Sequence, residues 1–344
     1  MIFFLQNRGR GAFKRAFLVL LFVFGILAFL VLSGPYFKAE KNIKWGITYS
    51  KIQAIRMGLD WQAAYIEILD GLNVNNLRLP VYWNDVEEQQ GNYDFMDYDW
   101  MVTEAAKRNI NTILVIGRRT PRWPECHVPS WVSVLDQASQ DKALLDFIQV
   151  VVTNFKAHPN ISAWQVENEP FLSTFGECPE ADPGLLRKEV EIVKTIDPSR
   201  PVIITDSGEL GDWLRAVKNA DIFGTTMYRK VGGWGPFKYA TYPLPPQFYR
   251  WKANLINRFV PVKKLIVSEL QGEPWVIGTP TASDKPLEEQ YETVNPKYFK
   301  EIVTYAKATG IGEIYWWGAE WWFWLREQGH PEIWETAKAL FNAN

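Results

Sequence analysis

From residue 44 onward the chain alternates two hydrophobic patterns. Short, nearly uninterrupted apolar runs occupy Lys44–Tyr49, Asn76–Leu79, Thr112–Ile116, Ser162–Glu167, Val202–Thr205, Ile222–Met227, Leu265–Ser268 and Glu313–Trp316. Amphipathic stretches follow them at Trp61–Leu72, Tyr98–Arg108, Lys142–Ala157, Pro183–Ile196, Asp212–Ala220, Pro246–Phe259, Lys297–Thr309 and Glu332–Phe341. Runs that are apolar throughout suit strands covered on both faces, and strands that alternate with helices imply a parallel sheet. Eight such units predict an α/β fold, a single (β/α)8 barrel, over residues 38–344. An open doubly wound sheet is the alternative. It lacks its usual mark, because Gly46 to Ser50 after the first strand is no phosphate loop. The longest irregular stretches, Arg118–Ser139 and Gln271–Val294, both follow strands, where a barrel builds its active face.

The first 40 residues break this pattern. Residues 1–15 are basic, with Arg8, Arg10, Lys14 and Arg15, and residues 16–37 form an uncharged stretch of 22 residues. At about 1.5 Å per residue that stretch can cross a hydrocarbon core of ~30 Å. The expectation is a single-pass signal-anchor helix, with residues 1–15 cytoplasmic and the barrel outside the cytoplasm. A cleaved signal peptide is the rival. Its apolar region is usually about 7–15 residues, and only Val31-Leu32-Ser33 offers a weak cleavage site here.

Charge and composition narrow the chemistry. A net charge of −2 gives no electrostatic footprint for nucleic acid, and 47% hydrophobic residues supply a large core. Seventeen tryptophans, with 14 Tyr and 20 Phe, provide flat faces that stack on sugar rings, although core packing accounts for many of them. The three histidines are scattered and the two cysteines cannot make a four-thiolate site, so no metal and no cofactor is expected. No Gly-x-Ser-x-Gly elbow or Walker loop occurs.

In a barrel the C-terminal ends of the strands carry the reactive groups. Read in order, those ends are Arg78, Arg118, Asn168 with Glu169, Asp206, Tyr228, Glu269 and Trp317. Glu169 and Glu269 fall at the fourth and seventh strands. Two carboxyl groups on opposite sides of one bond are what glycoside cleavage requires. Glu167 lies two residues before Glu169, and strand alternation assigns both to one face, which ranks Glu167 as a supporting residue. Glu273, several residues past the seventh strand, is the competing nucleophile candidate, and its loop position favours a loop or substrate contact instead.

These positions resemble the clan of retaining (β/α)8 glycoside hydrolases that includes the cellulase-like family five and the bacterial β-galactosidases of family forty-two. Asn168-Glu169-Pro170 matches the clan's fourth-strand motif, which implies Glu169 as general acid/base. Glu269 matches the seventh-strand nucleophile, Arg78 in Leu77-Arg78-Leu79-Pro80 the second-strand arginine, Tyr228 a sixth-strand tyrosine and Trp317 an eighth-strand tryptophan under the sugar. Trp83 opens a segment, Trp83 to Asp94, similar to one these enzymes carry. The chain departs from family five at Thr226-Met227-Tyr228, where His-x-Tyr is usual, and at Arg118-Arg119, where a His or Trp is common.

The resemblance implies a carbohydrate substrate, a poly- or oligosaccharide, and cleavage of its β-configured O-glycosidic bond by double displacement through a glycosyl-enzyme. Glu169 must then arrive protonated, with its pKa raised toward ~6, while Arg78 and Tyr228 keep Glu269 anionic. Asn168 is expected to bond a substrate hydroxyl beside the reacting carbon. An envelope transglycosylase with the same intermediate and a non-catalytic carbohydrate-binding barrel are the alternatives. Arg118, Arg119 and Arg122 invite either an anionic sugar or salt bridges to Glu167, Glu177 or Asp206, and the salt bridges are preferred. Cys126 and Cys178 follow successive strands, and a disulfide between them across the mouth is expected, with separate thiols as the other possibility.

Overall fold

The computed structural model describes residues 15–26, 37–233 and 237–343. Eight parallel strands close into a barrel: β1 (Lys44–Thr48), β2 (Asn76–Pro80), β3 (Asn111–Ile116), β4 (Ile161–Val166), β5 (Val202–Asp206), β6 (Ile222–Met227), β9 (Leu265–Gln271) and β10 (Glu313–Trp317). Between β6 and β9 a small antiparallel hairpin, β7 (Lys230–Gly232) and β8 (Tyr239–Thr241), stands apart from the barrel. β1 pairs with both β10 and β2, which completes the ring.

Alternation along each strand sorts the side chains into two populations. Trp45, Ile47, Leu77, Leu79, Leu114, Trp164 and Trp316 pack outward against the helices as part of one large core. Ile113, Ala163, Ile203, Ile266 and Tyr315 form a separate small cluster at the centre of the ring. Gly46 leaves room for that inner layer, since a Cβ there would meet the Tyr315 ring at 2.6 Å. Above the layer the inward positions turn polar, with Thr48, Arg78, Gln165 and Thr205 all buried.

Local signals set the helix limits. Asp60 caps Trp61–Leu72 by accepting from the amides of Gln62 (3.0 Å) and Ala63 (3.1 Å), and Asn73 ends it at φ 59°. Asn295 and Asp182 cap Pro296–Thr309 and Pro183–Ile196, each with proline in the first turn, where its missing N–H removes no helix bond. The helix Ala319–Glu327 was not expected. Gly318 at φ 107° separates it from β10.

Residues 15–26 are helical and exposed, with Phe17, Leu20, Phe22 and Phe24 all open. Residues 27–36 of the expected anchor lie outside the described residues, as do residues 1–14. Among the described residues, no helix is long and apolar enough to cross a membrane.

Candidate active site

The carboxylate of Glu269 reaches the barrel interior through a break in alternation. With Ile266 in the inner layer, a regular strand would point Ser268 inward and Glu269 out. The register of β9 instead slips against β6, so that Val267 opposes Thr225 and Glu269 opposes Thr226. A bulge of this kind adds one residue and re-aims the side chain that follows. Glu269 therefore lies within the strand, which runs on to Gln271, and not at its end.

Both oxygens of Glu269 are held. Oε1 accepts from Arg78 Nη1 at 3.0 Å, and Oε2 accepts from the Tyr228 hydroxyl at 3.0 Å. Arg78 is fully buried and fixed on its other sides. Its Nε donates to Gln165 Oε1 (2.8 Å), Nη2 to Asn168 Oδ1 (2.8 Å) and Nη1 also to Thr48 Oγ1 (3.3 Å). A buried guanidinium with these partners is a preorganised cation facing an anion. Burial and then the charge of Glu269 hold the Tyr228 hydroxyl well above its ordinary pKa, so it remains a donor.

Glu169 sits in the opposite electrostatic setting. Burial, then the charge of Glu269, then that of Glu125 push its carboxyl well above the usual range, opposed by Arg119. Its Oε1 accepts from Thr226 Oγ1 (3.1 Å), and its amide donates to Thr205 Oγ1 (2.8 Å). The backbone turns left-handed at Glu167 (φ 58°) and again at Glu169 (φ 44°). Beyond Val166 strand alternation no longer governs where the side chains go.

That turn corrects the expectation for Glu167, which does not share a face with Glu169. Its carboxylate accepts from the amides of Arg118 (2.9 Å) and Arg119 (2.8 Å) beneath the β3 loop. Gly117 makes this possible, because a Cβ there would fall 2.5 Å from Glu167 Oε1. Arg118 lines a small separate cavity with Glu167, Glu189 and the two cysteines, away from Glu169 and Glu269. Trp83 is also outside the site. It is buried in the core, stacked on Phe147 at 5.3 Å, with Nε1 donating to Glu87 Oε2 at 2.7 Å. Glu87 in turn accepts from the Gly91 amide (2.8 Å), so the Trp83–Asp94 segment is a brace. Asp206 ties down its own loop through the amides of Ser207 (2.8 Å) and Trp213 (3.0 Å).

Glu169, Glu269, Tyr228 and Trp317 line one cavity of about 750 Å³. Sequence reasoning reads the turn Asp206-Ser207-Gly208-Glu209 as a sugar contact but missed Glu125; the carboxyls of Glu209 and Glu125 both stand in the wall, pushed up to about 7 chiefly by burial. It also missed the support of Trp317. The Arg122 guanidinium lies 3.9 Å from that ring's centroid and is paired with Glu273 and, at 3.0 Å, with Glu320. Gln165 could have been found, as an inward polar position two residues ahead of Glu167. Asn168 is buried behind the wall, where its amide donates to Glu125 Oε2 (3.2 Å) and its Oδ1 receives Arg78. Trp123, Phe175, Trp275 and Tyr228 form a chain of ring contacts, each 5.4–6.0 Å between centroids, along one side of the cavity.

A disulfide joins Cys126 to Cys178, with Cα atoms 5.3 Å apart, and ties the loop that follows β3 to the loop that follows β4. Among the described residues no group of three His, Cys, Asp or Glu side chains is arranged to hold a metal ion.

Comparison with known proteins fits this geometry. The structure superposes on a cold-adapted β-galactosidase from Rahnella sp. R3 with a TM-score of 0.60 at 11% identity, over 90% of this chain and 57% of that one. A family 10 endo-β-1,4-xylanase from Gloeophyllum trabeum gives 0.55 at 16% identity, over 82% and 87% of the two chains. An exo-β-1,4-mannosidase from Opitutaceae bacterium strain TAV5 gives 0.55 at 13% identity, over 82% and 53%. At these identities the likeness establishes the shared barrel fold. No curated protein matches by sequence. The family profile described as "Glycosyl hydrolases family 2, TIM barrel domain" matches residues 53–321, and it agrees with the clan resemblance without singling out family five or forty-two. The protein is a glycosidase, and its chain belongs to the TIM-barrel domain family of the family 2 glycosyl hydrolases.

Proposed function

We propose that this glycosidase cleaves a β-O-glycosidic bond with retention, by double displacement. The observation that carries the reading is the asymmetry of the two glutamates. Glu269 is gripped at both oxygens by Arg78 and Tyr228, as a nucleophile must be. Glu169 is buried among negative charges that favour its protonated form, as a proton donor must be. In the first step Glu269 Oε attacks the anomeric carbon and Glu169 gives its proton to the departing oxygen. In the second, Glu169 takes a proton from water, which attacks the same carbon and releases Glu269. NMR of the first-formed product tests this directly. The retained anomer is expected, and the inverted anomer would overturn the reading.

The substrate is expected to be neutral around the reacting carbon. Arg122 is committed to Glu273 and Glu320, and Arg119 donates to the carbonyls of Leu172 (2.8 Å) and Phe175 (2.9 Å). The terminal nitrogens of both are thus engaged by the protein, whereas five carboxyls, Glu125, Glu169, Glu209, Glu269 and Glu273, line the cavity. Turnover of a uronide faster than of the matching neutral glycoside would refute this. The aromatic chain from Trp123 to Tyr228 favours a second reading, transfer to an acceptor sugar stacked there. Added acceptor would then divert product into a longer saccharide, and hydrolysis alone at high acceptor would eliminate it.

We further propose that residues 16–37 anchor the barrel outside the cytoplasm, on the strength of their uncharged length and basic flank. Release of the full chain from membranes by alkaline carbonate would contradict the anchor.

A further inference from the structure

Glu125 is the feature that the mechanism leaves unused. It lines the cavity beside Glu169 and Glu269, yet its side chain is almost wholly buried, at 4% residue exposure. Burying a carboxyl is costly unless something compensates. The shape of the turn is set by backbone bonds, from the Thr120 amide to Glu125 O (2.8 Å) and from the Glu125 amide to Arg122 O (2.7 Å). A bridge between Arg119 and Cys126 and the disulfide at Cys126 complete it. The Glu125 carboxyl adds only a contact with the Arg122 backbone to this set. The surroundings are nevertheless shaped to admit it, because a Cβ at Gly176 would lie 2.8 Å from Glu125 Cβ.

Asn168 Nδ2 donates to Glu125 Oε2 at 3.2 Å. Asn168 is in turn fixed by Arg78, the residue that grips the nucleophile. The carboxyl is thereby joined to the catalytic network from the cavity side. A sugar whose anomeric carbon faces Glu269 presents the hydroxyl of the adjacent carbon to this neighbourhood.

We propose that Glu125 is a specificity-determining residue that accepts a hydrogen bond from the sugar hydroxyl next to the reacting carbon, with Asn168 held against it. This rests on the retaining-glycosidase reading and deepens it. Arg119 provides compensating positive charge, and Glu269 opposes it. As positive charge grows on the anomeric carbon the neighbouring hydroxyl becomes a better donor, so the contact strengthens in the transition state and acts on kcat more than on KM.

The test compares dinitrophenyl β-glycosides of glucose, galactose, mannose and xylose, takes the best substrate, and pairs it with its 2-deoxy counterpart. Assayed above about pH 7, where the Glu125 carboxyl is ionised, a hydrogen bond to this charged group is worth about 1.5–3 kcal/mol, or roughly 10- to 150-fold in rate. Wild-type enzyme is expected to prefer the hydroxylated substrate in kcat/KM by at least that factor. Glu125→Ala should cut the preference by about tenfold or more, and Glu125→Gln, which keeps the shape, by about fivefold. The preference is a ratio within one preparation, so an unfolded fraction cancels. A preference unchanged within twofold in whichever variant folds would overturn the role of Glu125 and leave the retaining mechanism standing. Wild-type enzyme without turnover of any of the four glycosides would overturn both.

Discussion

Replacing Tyr228 with Phe removes one hydroxyl and little else. The ring contact with Trp275, 6.0 Å between centroids, remains available to Phe, and Arg78 still holds Oε1 of Glu269. What is lost is the 3.0 Å donor to Oε2, the oxygen that Arg78 does not hold. A hydrogen bond to a charged group contributes about 1.5–3 kcal/mol. At about 1.4 kcal/mol per tenfold in rate, kcat/KM should fall roughly 10- to 150-fold. Thermal unfolding should move little, because the hydroxyl faces the cavity and not the core. The assay is steady-state turnover of a dinitrophenyl glycoside beside a melting curve of the same preparation. A change of less than threefold in kcat/KM would refute the claim that Tyr228 orients the nucleophile. A large fall in melting temperature would reassign the residue to stability.

Four further outcomes follow from the same contacts. Glu169→Ala should lower turnover of an alkyl glycoside by about 10²- to 10⁴-fold and that of a dinitrophenyl glycoside far less, since a good leaving group needs no acid; equal losses on both would contradict the assignment. The carboxyl of Glu169 is raised, and an acid is lost as pH climbs through its pKa, so the alkaline limb of kcat/KM should lie above the ordinary carboxylate range. Among the groups acting on it, Glu269, Glu125 and Asp206 raise it and Arg119 lowers it, so Glu125→Gln should move that limb to lower pH, and a move upward would oppose this account. Trp83→Phe should cost about 1–3 kcal/mol in urea unfolding through the lost bond to Glu87 and poorer packing, with kcat/KM within about twofold; a tenfold loss of activity at wild-type stability would return Trp83 to the site. Removing both cysteines should destabilise the fold by up to about 4 kcal/mol, from the chain entropy of a 52-residue separation, and unchanged unfolding would show that the bridge does not constrain the unfolded chain.

The barrel was legible because its strands are apolar on both faces and its helices on one. The eight expected strands differ from the observed ones by no more than a residue or two at most ends, apart from β9, which runs three residues further. Glu169 and Glu269, which the structure brings to one cavity, were legible as carboxyls at or near strand ends and from the Asn-Glu-Pro resemblance. The errors have local causes. Glu167 was assigned by alternation, which lapses when the backbone turns left-handed past Val166. Trp83 was assigned by motif, although an indole beside a Glu four positions on suits a helical brace equally well. Arg118 was grouped with Arg122 by sequence proximity, while the loop sends them to different cavities. Arginines were expected to bridge to Glu167, Glu177 or Asp206, and Arg122 instead pairs with Glu273 and Glu320. Glu320 lies on the unexpected helix and Glu273 across the barrel mouth. Glu125 carried no signal, since its place depends on a loop fold that no periodicity encodes.

The central claim is that Glu269 becomes covalently bonded to the sugar. Incubation with a dinitrophenyl 2-deoxy-2-fluoro-β-glycoside slows both steps and lets the glycosyl-enzyme accumulate, after which fragmentation mass spectrometry locates the added sugar. The account predicts one sugar per chain, on Glu269, and none in Glu269→Ala. An adduct on Glu273, or sustained turnover with inversion and no adduct, would contradict it.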